Sequence, residues 1–142
     1  MIRIRAHWEH FSHSADIGIR GFGSTKADAF AQAAVAMVAV MVDPATVKQD
    51  ERVSLHCQES DVELLLLAWL NTLVYEMDVR HTLFSRFEVR IEGESLAAEA
   101  FGEKIDYARH EFGVEVKAAT PAQLKVDCDD QGRWIAQCIV DV

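Results

Sequence analysis

Clustered lysine and arginine are scarce in this sequence: 14 bases stand against 23 acids, for a formal charge of −9. A surface that holds nucleic acid broadly by neutralising phosphates needs such clusters, so that mode of binding is excluded as an expectation. Proline is nearly absent. Pro44 and Pro121 fall between predicted elements, and no Pro/Gly/Ser-rich linker, internal repeat or low-complexity tract interrupts the chain. The three cysteines, Cys57, Cys128 and Cys138, are odd in number and lack the close spacing of zinc ribbons or redox pairs, which predicts reduced thiols. The densest apolar run, Leu64 to Leu70, falls far short of the roughly 20 residues a membrane helix needs. No apolar signal-like core precedes Trp8. A cytoplasmic protein without membrane attachment is expected.

Familiar catalytic signatures are missing as well. There is no glycine-rich phosphate loop, nucleophile elbow, zinc-protease helix or dinucleotide fingerprint. A self-sufficient enzyme is therefore not expected, and no catalytic residue is nominated.

What is present suits one domain over residues 1–142: half the residues are apolar and 26% are charged, near the average for a globular chain. Ile17 to Phe22 reads as a short strand. Thr25-Lys26-Ala27-Asp28 then offers a helix start, and Ala27, Phe30, Ala34, Met37 and Met41 keep helical spacing until Asp43-Pro44. Val53, Leu55 and Cys57 alternate as a strand, and Ser60-Asp61-Val62-Glu63 caps a second helix. Its stripe of Val62, Leu65, Leu66, Trp69, Leu73 and Met77, widened by Leu64 and Leu67, predicts a central buried helix. Beyond Arg80 the period becomes two, over Phe84 to Ile91, Leu96 to Phe101, Val114 to Ala118, Leu124 to Cys128 and Trp134 to Val140. Glu92-Gly93-Glu94 and Asp130-Gln131-Gly132 mark hairpin turns. The order β-α-β-α followed by several strands predicts an α+β fold, with two helices packed on one mixed, mainly antiparallel sheet.

Three segments carry candidate chemistry. The stretch from Trp8 to Gly18 sets His10, His13 and Asp16 in an expected loop ahead of the first strand, although spacing alone favours ordinary polar turn residues. At the other extreme, Cys138-Ile139-Val140-Asp141-Val142 runs apolar to the last residue, so this strand should be held by a sheet. It sets the Asp141 carboxylate beside the main-chain carboxylate of Val142, oxygen donors suited to Mg²⁺, Mn²⁺ or Ca²⁺, or else simply solvated. Between them, His110 to Thr120 carries His110, Lys117 and Thr120. Lys117 suits a phosphate or nearby carboxylates, but equally a solvent-facing strand position. The paired acids Asp61 and Glu63 are explained by capping and the helix dipole.

Taken together, the segments His13-Ser14-Ala15-Asp16-Ile17-Gly18-Ile19, Asp61-Val62-Glu63-Leu64-Leu65, Val114-Glu115-Val116-Lys117-Ala118-Ala119-Thr120 and Ile139-Val140-Asp141-Val142 resemble the archease family. The likeness spans nearly the whole chain. It implies an accessory protein for the RNA-splicing or RNA-repair ligase that joins 3′-phosphate or 2′,3′-cyclic-phosphate ends to 5′-hydroxyl ends, promoting GTP-dependent guanylylation and multiple turnover. RNA would be met through that ligase. The resemblance also implies a divalent metal, calcium, magnesium or manganese, on Asp16, Asp141 and Val142. His13 would stand nearby, with His110, Lys117 and Thr120 as further supporting or ligase-contact residues. One departure is visible: where the family commonly has Tyr-His after this Thr, the chain has Pro121-Ala122. The alternatives are a metal-independent, chaperone-like interaction protein and, less in keeping with the missing motifs, an independent nucleotide hydrolase.

Overall fold

A computed structural model describes residues 4–142. The chain begins with two strands, β1 (His7–His13) and β2 (Asp16–Gly23), followed by α1 (Lys26–Met41) and a short 3-10 turn at Pro44–Thr46. Next come β3 (Glu51–Gln58), α2 (Val62–Arg80), β4 (Thr82–Glu92), β5 (Ser95–Lys104), β6 (Ala118–Cys128) and β7 (Trp134–Asp141). The α+β class stands. The expected single mixed sheet is instead two antiparallel sheets, one ordered β1-β2-β7-β6 and the other β3-β5-β4.

The expected loop ahead of the first strand is itself a strand. β1 pairs with β2 through a tight hairpin in which His13 faces Asp16 across Ser14 and Ala15, with Ser14 at φ 53°. A Ser-Ala turn carries none of the Gly or Asn chemistry that announces a hairpin in sequence. The expected strand at Val114 to Ala118 starts only at Ala118, because β7 ends at Asp141 and offers nothing further to pair with. Ala118 and the expected Leu124–Cys128 strand then form one strand, β6, whose ladder is interrupted between Thr120 and Lys125. Pro121, which has no N–H to give, sits inside that interruption, and Gln123 there has φ 55°.

The central buried helix is α1, not α2. Thr25 caps α1 by accepting the Asp28 N–H at 3.0 Å, and the helix packs on β2 and β7 of one sheet and on β4 of the other. Its many alanines explain this. Ala29, Ala33, Ala34 and Ala36 are fully buried, and such small side chains let strand backbone come close. Gly21 of β2 completes the fit, since a Cβ there would overlap Ala29 O and Ala33 N. α2 is two-faced: Leu65, Leu66, Trp69, Leu70 and Leu73 are buried, while Leu64, expected to be covered, is 46% exposed. Asp61 caps it by accepting from Glu63 and Leu64 N–H, and Trp69 Nε1 donates to Phe30 O, tying α2 to α1. Asn71 bonds both backbone groups of Ala119 at 2.9 and 3.1 Å, closing the free edge of β6 against α2.

The two faces of α2 predict opposite responses to truncation. Leu70→Ala should cost roughly 2–5 kcal/mol in urea unfolding because it leaves a core void, and Leu64→Ala should stay within about 0.5 kcal/mol. Equal costs would contradict this burial.

Candidate metal and docking site at the sheet end

One face of the four-stranded sheet packs against α1; among the described residues the other carries no helix and is covered only by its own side chains, which bury Ile139 and Phe22. Ile19, Ala136, Cys138 and Val140 point into the core beneath α1. Residues directly opposite in an antiparallel ladder share a face, so the register assigns the other side chains to the helix-free face. His13 lies opposite Asp16. Ile17 lies opposite Val140, so Asp16 and Asp141 occupy the next step of that ladder, and Asp141 in turn faces Ala118. One row across the end of the sheet thus reads His13, Asp16, Asp141, Ala118. The row behind it reads Phe11, Gly18, Ile139, Thr120, with the Phe11 ring lying over Gly18, where a Cβ would overlap it.

Each expected site residue can now be placed. Asp16 and His13 are half-buried, Asp141 is exposed and Val142 is half-buried. Lys117 gives its backbone N–H to Asp141 O at 2.8 Å, which holds the last residues of β7 in place, while its side chain is exposed. Thr120 is on the helix-free face, but its hydroxyl already donates to Ile139 O at 2.8 Å and accepts from Ala122 N–H at 3.3 Å. It braces the interrupted strand. His10 departs from the group: it sits opposite Ile19, and its Nε2 donates to Ala36 O of α1 at 2.7 Å. Strand alternation therefore sends His10 and His13 to opposite faces.

His110 also departs from the expected constellation. It is 5% exposed and bonded to Glu103 of β5 at 3.0 Å, while its Nδ1 accepts the Asp106 N–H at 2.9 Å. That acceptance places the ring proton on Nε2, facing the Glu103 carboxylate. Glu103 further takes the Lys48 N–H at 2.7 Å and a guanidinium bond from Arg109. This cluster clips the segment after β5 onto the three-stranded sheet. Sequence reading missed it because its members come from three separate segments and carry no motif.

Among the described residues no three His, Cys, Asp or Glu side chains converge as a metal cluster. The donors that the sheet end offers are the side-chain carboxylates of Asp16 and Asp141. Both supply hard oxygens, a set that fits Ca²⁺, Mg²⁺ or Mn²⁺ and not a thiolate-seeking ion. The thiols stand apart from it. Cys57, Cys128 and Cys138 are all free, and burial pushes the Cys138 thiol up to about 12. Cys128 faces Trp134 across the last hairpin, so it is not paired with Cys138.

A fold of two antiparallel sheets and two helices defines an α+β protein of a kind already solved. The solution structure of *Methanobacterium thermoautotrophicum* protein 1598 superposes with a TM-score of 0.84 at 33% identity, covering 95% of this chain and 98% of that one. The archease protein family (MTH1598/TM1083) matches over residues 8–142, and the chain belongs to this family. Protein archease of *Pyrococcus furiosus* is 37% identical, and that of *Thermococcus gammatolerans* 40%, each over 95% of this chain and 98% of the relative. The crystal structure of a *Thermotoga maritima* archease, described as a possible chaperone, shares the fold at a TM-score of 0.66 and 19% identity, over 93% of this chain and 94% of that one.

The Glu103 cluster gives a pH prediction. Burial alone would raise this carboxyl, but the bonds from Lys48, Arg109 and His110 outweigh it and hold Glu103 down at about 2, against an ordinary 4.5. A depressed carboxyl stabilises the fold above its unfolded value. That contribution should be fully present above about 4.5 and fade as pH falls toward 2. Glu103→Gln should flatten the acid limb of the stability profile in this window, measured by urea unfolding at stepped pH. An unchanged acid limb would count against the cluster.

Proposed function

We propose that the chain is a metal-carrying accessory protein that activates an RNA ligase, the one that seals 3′-phosphate or 2′,3′-cyclic-phosphate ends to 5′-hydroxyl ends using GTP. The observation that carries this reading is the shared ladder step of Asp16 and Asp141, one from the first hairpin and one from the last strand. Membership of the archease family supports it. Asp16, Asp141 and the Val142 carboxylate would hold the divalent ion, and His13, on the same row, would flank it. The exposed Lys117 side chain would balance the carboxylates or meet a phosphate.

A bound divalent ion would supply positive charge for the oxygens of a triphosphate or a phosphate end. The chain's own part is to fix the two aspartates on the central strands β2 and β7, where sheet pairing holds them, and to offer an acidic rim. A formal charge of −9 suits approach to a basic, RNA-binding ligase channel, and RNA is then met through the ligase. The three free thiols accord with a cytoplasmic site of action.

A second reading is a metal-independent, chaperone-like interaction protein, favoured by exposed apolar side chains such as Tyr75, Tyr107 and Phe112. The two readings separate in a ligase turnover assay with GTP and Mn²⁺. Asp16→Ala and Asp141→Ala should each lower ligase stimulation at least tenfold while the unfolding midpoint stays near that of the parent protein. Full stimulation by both variants, or after chelation, would favour the second reading. Using Val142 as a ligand has its own test: a short tag after Val142 should impair stimulation much more than one before Met1. Equal activity of the two tagged forms would remove Val142 from the site.

A further inference from the structure

The exposed apolar side chains are not scattered. Of the six large ones among the described residues, Tyr75, Tyr107, Phe112 and Val114 line one groove of about 610 Å³, and Val79 lies one helical turn beyond Tyr75. The groove runs between the open face of α2, with Val74, Tyr75 and Asp78, and the segment 112–117 that leads into β6. Aromatic side chains gathered in a hollow are the usual anchors of protein association. The segment itself is the second observation. Its sequence alternates as a strand, and it stands directly before β6, yet it has no strand beside it.

Its backbone accounting shows what is left over. Gly113 and Val114 give their N–H groups to Met41 O and Val40 O, capping the end of α1 at 2.7 and 3.2 Å. Gly113 makes that approach possible, since a Cβ there would come to 2.9 Å from Val40 O. Lys117 N–H goes to Asp141 O. Among the described residues, the N–H groups of Phe112, Glu115 and Val116 have no protein acceptor, and the carbonyls of 112–116 have no protein donor. Farther along, Asn71 of α2 closes the edge of β6 at Ala119, and among the described residues no side chain does the same for 112–116. An unpaired strand-like edge beside an apolar hollow is the arrangement that receives an added strand.

Charge selects the chemistry of the occupant. Among the residues that line the groove, Asp78 and Glu115 are acidic and Lys117 alone is basic. We propose that this groove binds an extended segment of a partner polypeptide, alternately apolar and basic, laid along residues 112–116. One lining residue, Lys117, is tied through its backbone N–H to Asp141 O. The inference rests on the preceding subsection only in taking the ligase as the carrier of that segment.

The test uses the full chain and synthetic seven-residue peptides with blocked ends, one alternating lysine with valine and one alternating glutamate with valine. Binding is followed by amide chemical shifts. The basic peptide should shift resonances of 111–117 and of Asp78 and bind at least tenfold tighter than the acidic one. Methylating alternate backbone nitrogens of the basic peptide should weaken it at least tenfold, as should Tyr107→Ala combined with Phe112→Ala. Asp78→Lys with Glu115→Lys should reverse the preference between peptides. All four positions are surface groups, and an unchanged unfolding midpoint will show that the variants fold. Equal binding of the two peptides, shifts elsewhere on the surface, or self-association of the free chain through these same resonances would overturn the proposal. Asp16→Ala should leave peptide binding unchanged. Peptide binding by a chain that fails to stimulate the ligase would sink the ligase reading and leave the groove standing.

Discussion

The pairing of β2 with β7 is the constraint on which the rest depends. It joins the second strand of the chain to the last, with Ile17 opposite Val140 and Gly23 opposite Trp134. Everything of functional interest hangs from it. The core face of this pair supplies Ile19, Cys138 and Val140 to the packing beneath α1, and the helix-free face presents Asp16 and Asp141 at one step. Because a register slip of one residue would turn every side chain to the opposite face, the apolar packing also keeps both aspartates out of the core. Stability and placement of the carboxylates are therefore one property of this ladder.

Much of the architecture was legible because local chemistry and tertiary packing agree. Thr25 and Asp61 cap the helices that their side chains predict, and Gly93 and Gly132 take the positive φ that their turns require. Failures occurred where a decision is made at long range. No composition separates one sheet of seven strands from two sheets, since that depends on which edges meet. Leu-rich α2 reads in sequence as the more buried helix, whereas Ala-rich α1 is the central one. Burial follows how closely backbones approach, and alanines allow the closer approach.

The site was legible in parts for the same reason. Short motifs and a resemblance point to Asp16 and Asp141, and the ladder puts them at neighbouring positions by register. His110 was nominated from proximity in sequence to Lys117 and Thr120, but its ring serves a buried carboxylate on another sheet. The role of Thr120 is plain only once Pro121 is seen to interrupt β6, because the hydroxyl then stands in for missing ladder bonds. Pro121-Ala122 thus falls where β6 is irregular.

Placing the last strand between β2 and β6 has a consequence for biosynthesis. A chain leaving the ribosome can form the β1–β2 hairpin, α1 and the three-stranded β3-β5-β4 sheet in turn, but the four-stranded sheet must wait for Trp134 to Asp141. Until then β2 presents an unpaired inner edge with apolar residues on one side. Closure therefore joins an early strand to a late one, and the two aspartates come together only once residues 134–141 have been made.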